Sequence, residues 1–171
     1  MMRRLFVRFR DVLIHRVIGV ADTPHRIAWG MFLGTVIAWT PTIGLQIALY
    51  VAFATLLRAN KVSGIPILFI SNPFTAVPLY YFAWWVGNAV MHRGRLAEGA
   101  PPKDVAHFDA ETYGDLLSEE FWSELGRALL AMGAELWVGS LIVGVLMGVP
   151  GYALTFWAVK AYRRSRSSAP S

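Results

Sequence analysis

Between Ile27 and Leu57, and again between Val62 and Met91, the chain runs for roughly 30 residues without a Lys, Arg, Asp or Glu. About 20 apolar residues cross a bilayer as a helix, so each stretch is long enough to enter a membrane and turn back. Both are broken near the middle, at Thr40-Pro41-Thr42-Ile43-Gly44 and at Ser71-Asn72-Pro73. Hydrocarbon satisfies no backbone N–H or C=O, so a break at that depth has to be packed in protein, wetted, or used. The chain is therefore expected to be an integral membrane protein whose function sits at its breaks.

Composition agrees, with 56% hydrophobic residues and a mean hydropathy of +0.46, above the soluble norm. The net charge of +5 is informative through its placement. Arg3, Arg4, Arg8, Arg10, Arg16 and Arg26 precede the first stretch, and Arg58 and Lys61 separate the two. Arg93, Arg95 and Lys103 follow the second, and Lys160, Arg163, Arg164 and Arg166 come last. If every apolar stretch goes in and comes back, all these clusters share one face, which the positive-inside rule makes cytoplasmic. A multi-pass protein of the bacterial inner (plasma) membrane with both termini in the cytoplasm follows.

Residues 1–22 place Leu5, Phe6, Phe9, Leu13, Val17 and Ile18 at helical spacing among arginines. They lack the uninterrupted apolar core and small-residue cleavage site of a signal peptide. The segment reads as a basic amphipathic helix on the anionic inner leaflet of the bilayer. No nucleic-acid motif or aromatic platform accompanies it, so nucleic acid is not an expected partner.

The remainder reads as all-α. Thr23-Pro24 is a helix start, with an N-cap and a proline at the first helical position, and Thr40-Pro41 and Asn72-Pro73 repeat that pair as helix restarts. Residues 23–92 thus become two Pro-broken hairpins, full or re-entrant, the arms of the first being Ile27 to Trp39 and Leu45 to Leu57. Each of those arms is about 20 Å of helix against about 30 Å of hydrocarbon. Pro41, Gly44, Pro73 and Pro78 are the structural breakers. Residues 93–126 read as a cytoplasmic linker and acidic surface helix, and 127–163 as a C-terminal transmembrane hairpin turning at Gly148-Val149-Pro150-Gly151. Residues 164–171 form a basic tail. Gly30, Gly34 and Ala38, and likewise Ser140, Gly144 and Gly148, make small-residue faces suited to close helix approach. Homo-oligomerisation is left open by these features.

No nucleophile elbow, phosphate loop, dinucleotide fingerprint or metal-type His spacing occurs, and there is no cysteine. Neither an enzyme, a metal nor a cofactor is expected. The polar residues that do enter the apolar stretches are uncharged and lie at the breaks: Thr40, Thr42, Gln46, Ser71, Asn72 and Thr75. One reading is that they cap helices and satisfy freed backbone. The other is a binding site, in which two helix N-termini and the Gln46 and Asn72 donors hold a phosphate or carboxylate at membrane depth. Glu135 is the one formal charge in the last long run, a functional candidate or a snorkelling partner of Arg127.

The residues Thr23-Pro24-His25-Arg26-Ile27-Ala28-Trp29-Gly30, Gly34, Thr40 to Gln46, Ser71-Asn72-Pro73-Phe74-Thr75, Pro78 and Tyr80 resemble an uncharacterised bacterial membrane family, domain of unknown function 2062. The resemblance covers about Arg16 to Tyr162. It implies an integral inner-membrane location and, because such domains are sometimes appended to glycosyltransferases, a link to the cell envelope. The expectation drawn from it is a small translocation or lipid-handling module for envelope glycolipid or polyprenyl-linked substrate, with a lipid-linked phosphate and an envelope glycosyltransferase as partners. The rivals are a non-transporting scaffold for envelope enzymes and a small solute or ion channel. No charged or carbonyl-lined ring of the kind a channel needs is visible.

Overall fold

A computed structural model describes residues 22–92 and 119–167. Residues 1–21 of the expected surface helix and residues 93–118 of the linker lie outside that range, as does the end of the basic tail. The described residues are helical: α1 (Pro24–Trp39), α2 (Gln46–Leu56), α3 (Ile65–Leu68), α4 (Pro73–Met91), α5 (Glu119–Ala131) and α6 (Gly133–Ser167).

Local chemistry explains most boundaries. The Thr23 hydroxyl accepts from Arg26 N–H at 3.3 Å and Pro24 occupies the first turn, so α1 starts where the cap-plus-proline pair predicts. Asn72 does the same for α4: its Oδ1 accepts from Thr75 N–H at 3.2 Å, while Thr75 Oγ1 accepts from Asn72 N–H at 3.1 Å. That exchange satisfies two of the N–H groups a helix start leaves open. Thr40-Pro41, however, restarts nothing. The Thr40 hydroxyl donates back to Ile37 C=O at 2.7 Å and ends α1, and α2 begins only at Gln46 with no side-chain cap. Between them Leu45 N–H bonds Thr42 C=O at 3.0 Å and Gly44 takes φ +85°, a left-handed residue that a helix begun at Pro41 would not contain.

Helix directions decide the topology. Gly144 of α6 lies against Val36, Gly148 against Phe32, Gly151 near Met31 and Thr35, and Arg163 reaches the Asp22 carbonyl, so α6 runs antiparallel to α1. Gly139 abuts Ala83, Gly87 abuts Glu135, and His92 faces Glu135, so α6 is also antiparallel to α4. It follows that α1 and α4 run the same way. The single turn of α3 does too, since Ser63 bonds Ile27 C=O, Ile67 packs at Gly34 and Leu68 meets Gln46.

The first apolar stretch is therefore a hairpin, α1 out and α2 back, but the second is not. Its break at Ser71-Asn72 offsets the path and restarts a helix in the same sense. The C-terminal hairpin is absent as well: residues 133–167 form one helix with Pro150 inside it. At Gly148 α1 comes close, an added Cβ falling 2.8 Å from the Phe32 ring, and neither Gly148 nor Gly151 forms a turn.

Two ends result. Asp22, Arg26, Arg58 and Arg163 gather at one, since Arg26 Nε donates to Arg58 C=O at 2.6 Å and Arg26 also pairs with Asp22 at 3.0 Å. His92 and Glu135 mark the other, about 42 Å along α6 from Arg163 at helical rise. The chain leaves α4 at that second end. Of the basic clusters, Arg26, Arg58 and Arg163 share the first end, while Arg93, Arg95 and Lys103 lie outside the described residues.

The core has two parts. Leu33, Ile37, Ala38, Tyr50, Ala54, Ala59 and Leu68 pack α1, α2 and α3 together, and Ala76, Tyr80, Ala83, Met132 and Leu136 join α4 to α6. Large apolar side chains also cover the outside, among them Leu45, Leu56, Phe69, Leu146 and Leu154. By length and composition α6, over residues 133–165, is apolar enough to cross a membrane, whereas α2 is apolar but short.

Candidate functional site at the helix breaks

The two breaks meet. Gln46, the first residue of α2, is buried, with its Nε2 donating to Leu68 C=O at 3.0 Å and its Oε1 accepting from the Ser71 hydroxyl at 2.9 Å. Tyr80, two turns into α4, donates its phenol to Thr40 C=O at 3.0 Å, in a position that is 1% exposed. Because the Thr40 hydroxyl donates to Ile37 C=O, the Thr42 hydroxyl 3.1 Å away is the donor in the pair they form. Thr40, Thr42, Gln46 and Ser71 are thus brought into one uncharged junction with Tyr80. Asn72 and Thr75 cap α4 beside it, Thr75 also donating to Ile70 C=O at 2.5 Å.

This arrangement changes the chemistry expected of the site. The Gln46 amide donates to Leu68, and the Ser71, Thr40, Tyr80 and Thr75 hydroxyls each have a protein acceptor, so these side chains hold the breaks in place. What is left open is backbone. The N–H groups of Ile43, Gly44, Gln46, Ile47 and Ala48 have no hydrogen-bond acceptor among the described residues, and Gly44, Leu45, Ile47 and Ala48 are exposed. An uncapped helix start of this kind carries about half a positive charge.

Glu135 stands apart from the junction. It lies in the first turn of α6, with His92 Nε2 3.4 Å from its carboxylate, where the sequence suggested Arg127. Pro78 sits inside α4 rather than at a break, whereas Pro41, Gly44 and Pro73 do lie at breaks.

Sequence reasoning missed Tyr80 as a polar member and missed a second cluster altogether. Tyr50 donates to Asn60 C=O at 2.6 Å and accepts from Gly64 N–H at 2.9 Å, while Ser63 donates to Ile27 C=O at 2.9 Å. Here α1 and the 60–64 turn touch backbone to backbone, a Cβ at Gly30 falling 2.4 Å from the Asn60 carbonyl oxygen. Tyr50 is one helical turn from Gln46 on the same face, the signal that links both ends of α2. Among the described residues, two buried side-chain atoms, Asn88 Oδ1 and Ser140 Oγ, have no hydrogen-bond partner.

A family model described as an uncharacterised protein conserved in bacteria, domain of unknown function 2062, matches residues 7–168. The chain belongs to this family. Its match spans every described helix, so the junction and the long α6 lie within the shared domain. No curated protein and no solved structure matches the chain.

Proposed function

We propose that this member of the family is a multi-pass inner-membrane protein that handles a lipid-linked phosphate at the uncapped start of α2. In this reading the Asp22, Arg26 and Arg163 end is cytoplasmic, α1 and α2 form a re-entrant hairpin entering from that side, α3 and α4 together cross once, and α6 crosses back. Both termini then remain cytoplasmic while the segment between α4 and α6 is external. Charge partition supports the arrangement. Residues 93–135 carry four of the sixteen Lys and Arg, whereas the other twelve fall before α1 or in its first turn, in the α2–α3 turn and at the C-terminal end, the distribution the positive-inside rule asks for.

The observation that carries the function is the set of open N–H groups at Ile43, Gly44, Gln46, Ile47 and Ala48, in a break about 20 Å along α1 from its basic end. Unpaired backbone is costly in hydrocarbon, and helix starts at membrane depth hold anionic groups in transporters. The exposed apolar residues of α2, including Ile47, Val51 and Phe53, offer an adjoining surface to an isoprenoid or acyl tail. The scaffold reading draws on a different observation, the mutual saturation of Gln46, Ser71, Thr40 and Tyr80, which makes the junction a rigid joint.

Native mass spectrometry of the purified full chain separates the two. A co-purifying polyprenyl or glycolipid phosphate is expected, and it should be lost in Ile47→Pro, which removes one open N–H in the first helical turn, where proline is tolerated. A protein free of phospholipid-linked sugar or polyprenyl phosphate, or one whose lipid is unaffected by Ile47→Pro, overturns the lipid-handling reading in favour of a scaffold.

Topology has its own test in this cysteine-free chain. In spheroplasts, Arg127→Cys should react with a membrane-impermeant maleimide and Lys61→Cys should react only after permeabilisation. Equal labelling of both before permeabilisation would rule out the proposed crossings.

A further inference from the structure

The turn between α2 and α3 is built in a way that its backbone alone does not explain. Leu57 N–H bonds Phe53 C=O at 2.9 Å, Arg58 N–H bonds Thr55 C=O at 3.3 Å and Ala59 N–H bonds Ala54 C=O at 2.8 Å, an ending that takes a left-handed residue just past the helix. That residue is Arg58, with φ 53°, the one non-glycine residue at positive φ among those described. Glycine fills such positions without strain, so an arginine is kept there at a cost in stability.

The turn is also rigid. Arg26 Nε donates to Arg58 C=O at 2.6 Å, and Asn60 N–H donates to Arg26 C=O at 2.9 Å. Asn60 Oδ1 accepts from Val62 and Ser63 N–H at 2.9 Å each, and its Nδ2 donates to Asp22 at 3.1 Å. With the backbone fixed, Arg58 and Lys61 are both exposed, three residues apart. No carboxylate lies within 4.0 Å of either among the described residues. The nearby acid, Asp22, is engaged by Arg26, Asn60 and the Thr23 N–H. Burial pushes its carboxyl up, but those hydrogen bonds and the Arg26 charge outweigh burial and leave it below the usual carboxylate range, an anion already matched to Arg26.

The flanks are apolar and exposed: Leu56 at 76%, Leu57 at 55% and Val62 at 47%. Two cations held between outward leucines and a valine fit the boundary between acyl chains and headgroups, where anionic phosphates concentrate. The favourable effect of a cation at the C-terminus of α2 accounts for one positive charge there. It accounts neither for the left-handed arginine nor for Lys61.

We propose that the α2–α3 turn is a headgroup site in which Arg58 and Lys61 hold the phosphate of an anionic phospholipid of the cytoplasmic leaflet. The site rests on the membrane reading above and is separate from the α2 start at the opposite end of that helix.

The test uses the full chain reconstituted with phosphatidylglycerol and phosphatidylcholine, with retained lipid read by native mass spectrometry. Wild-type protein should retain phosphatidylglycerol preferentially, and Arg58→Gly or Lys61→Gln should lower that preference about tenfold, the size of one lost charge-assisted contact. Arg58→Lys should keep most of it. Arg58→Gly should at the same time melt higher than wild type, because glycine relieves the left-handed strain, so its lipid loss is not a folding defect. Absence of a phosphatidylglycerol preference in wild type, or an unchanged preference in both variants, overturns the site. Displacement of the lipid by equimolar glycerol phosphate overturns the lipid assignment in favour of a free phosphate. A carbonate wash distinguishes the two levels: wild type stripped from membranes refutes the membrane reading, while wild type that stays without a lipid preference refutes the headgroup site alone.

Discussion

Gly139→Ala should pull α4 away from α6 and cost about 3 kcal/mol or more, seen as a large fall in melting temperature in detergent. A Cβ at Gly139 would lie 1.7 Å from the Ala83 carbonyl oxygen, and one at Gly87 would lie 1.8 Å from the Glu135 carbonyl oxygen. Backbone on both sides of the contact cannot yield as a flexible side chain would. The two helices would have to separate along their whole crossing, loosening Tyr80, Ala83 and Leu136 from their shared core. Gly144→Ala, whose Cβ would stand 3.0 Å from Val36 Cα, should cost less. Gly126→Ala in α5 is the control, since nothing lies within 4 Å of its added methyl. In a helix interior that change is favourable by up to about 1 kcal/mol. Should Gly139→Ala melt like Gly126→Ala, the close α4–α6 crossing is wrong.

The packing of α6 against α1 shows where sequence reading stops. The face bearing Ser140, Gly144 and Gly148 was legible as a small-residue surface, because small residues at helical spacing have few other uses in an apolar helix. Which helix it meets was not legible, since periodicity reports that a face is buried and says nothing of its partner. Gly148 to Gly151 resembles a turn because glycine beside proline is a turn signal in water, yet here Gly148 admits Phe32 and Pro150 continues a helix.

Caps were the most readable features. Thr23-Pro24 and Asn72-Pro73 start helices because their side-chain oxygens serve N–H groups three residues on, a strictly local interaction. Thr40-Pro41 has the same letters and ends a helix instead, because the left-handed Gly44 downstream fixes the chain in a turn. Chain direction is a tertiary property, and so the second apolar stretch reads as a hairpin although α3 and α4 run the same way. Basic residues alone allow every cluster on one face, and the excess of Asp and Glu sets the composition of residues 93–135 apart from the rest of the chain.

Gln46→Leu is the change that tests the junction of the two breaks, and it should destabilise the chain by about 2 kcal/mol. Leucine fits the volume and adds apolar surface, so at a lipid-facing position it would be neutral or favourable. Gln46 is buried, and the substitution removes the donor to Leu68 C=O together with the acceptor for the Ser71 hydroxyl. Ser71 recovers part of the loss, because its hydroxyl already stands 3.2 Å from the same Leu68 carbonyl and can donate there. That recovery predicts non-additivity. Ser71→Ala alone should cost about 1 kcal/mol, and in the Gln46→Leu background it should cost more, since it then removes the remaining donor to Leu68 C=O. A thermal or denaturant double-mutant cycle in detergent measures the difference, with Tyr80→Phe as a third arm that leaves Thr40 C=O only its 2.7 Å bond from Thr42 N–H and does not touch Gln46. Strict additivity of Gln46→Leu and Ser71→Ala would mean that α2 and the α3–α4 break do not share one hydrogen-bonded joint, and the meeting of the two breaks would have to be abandoned.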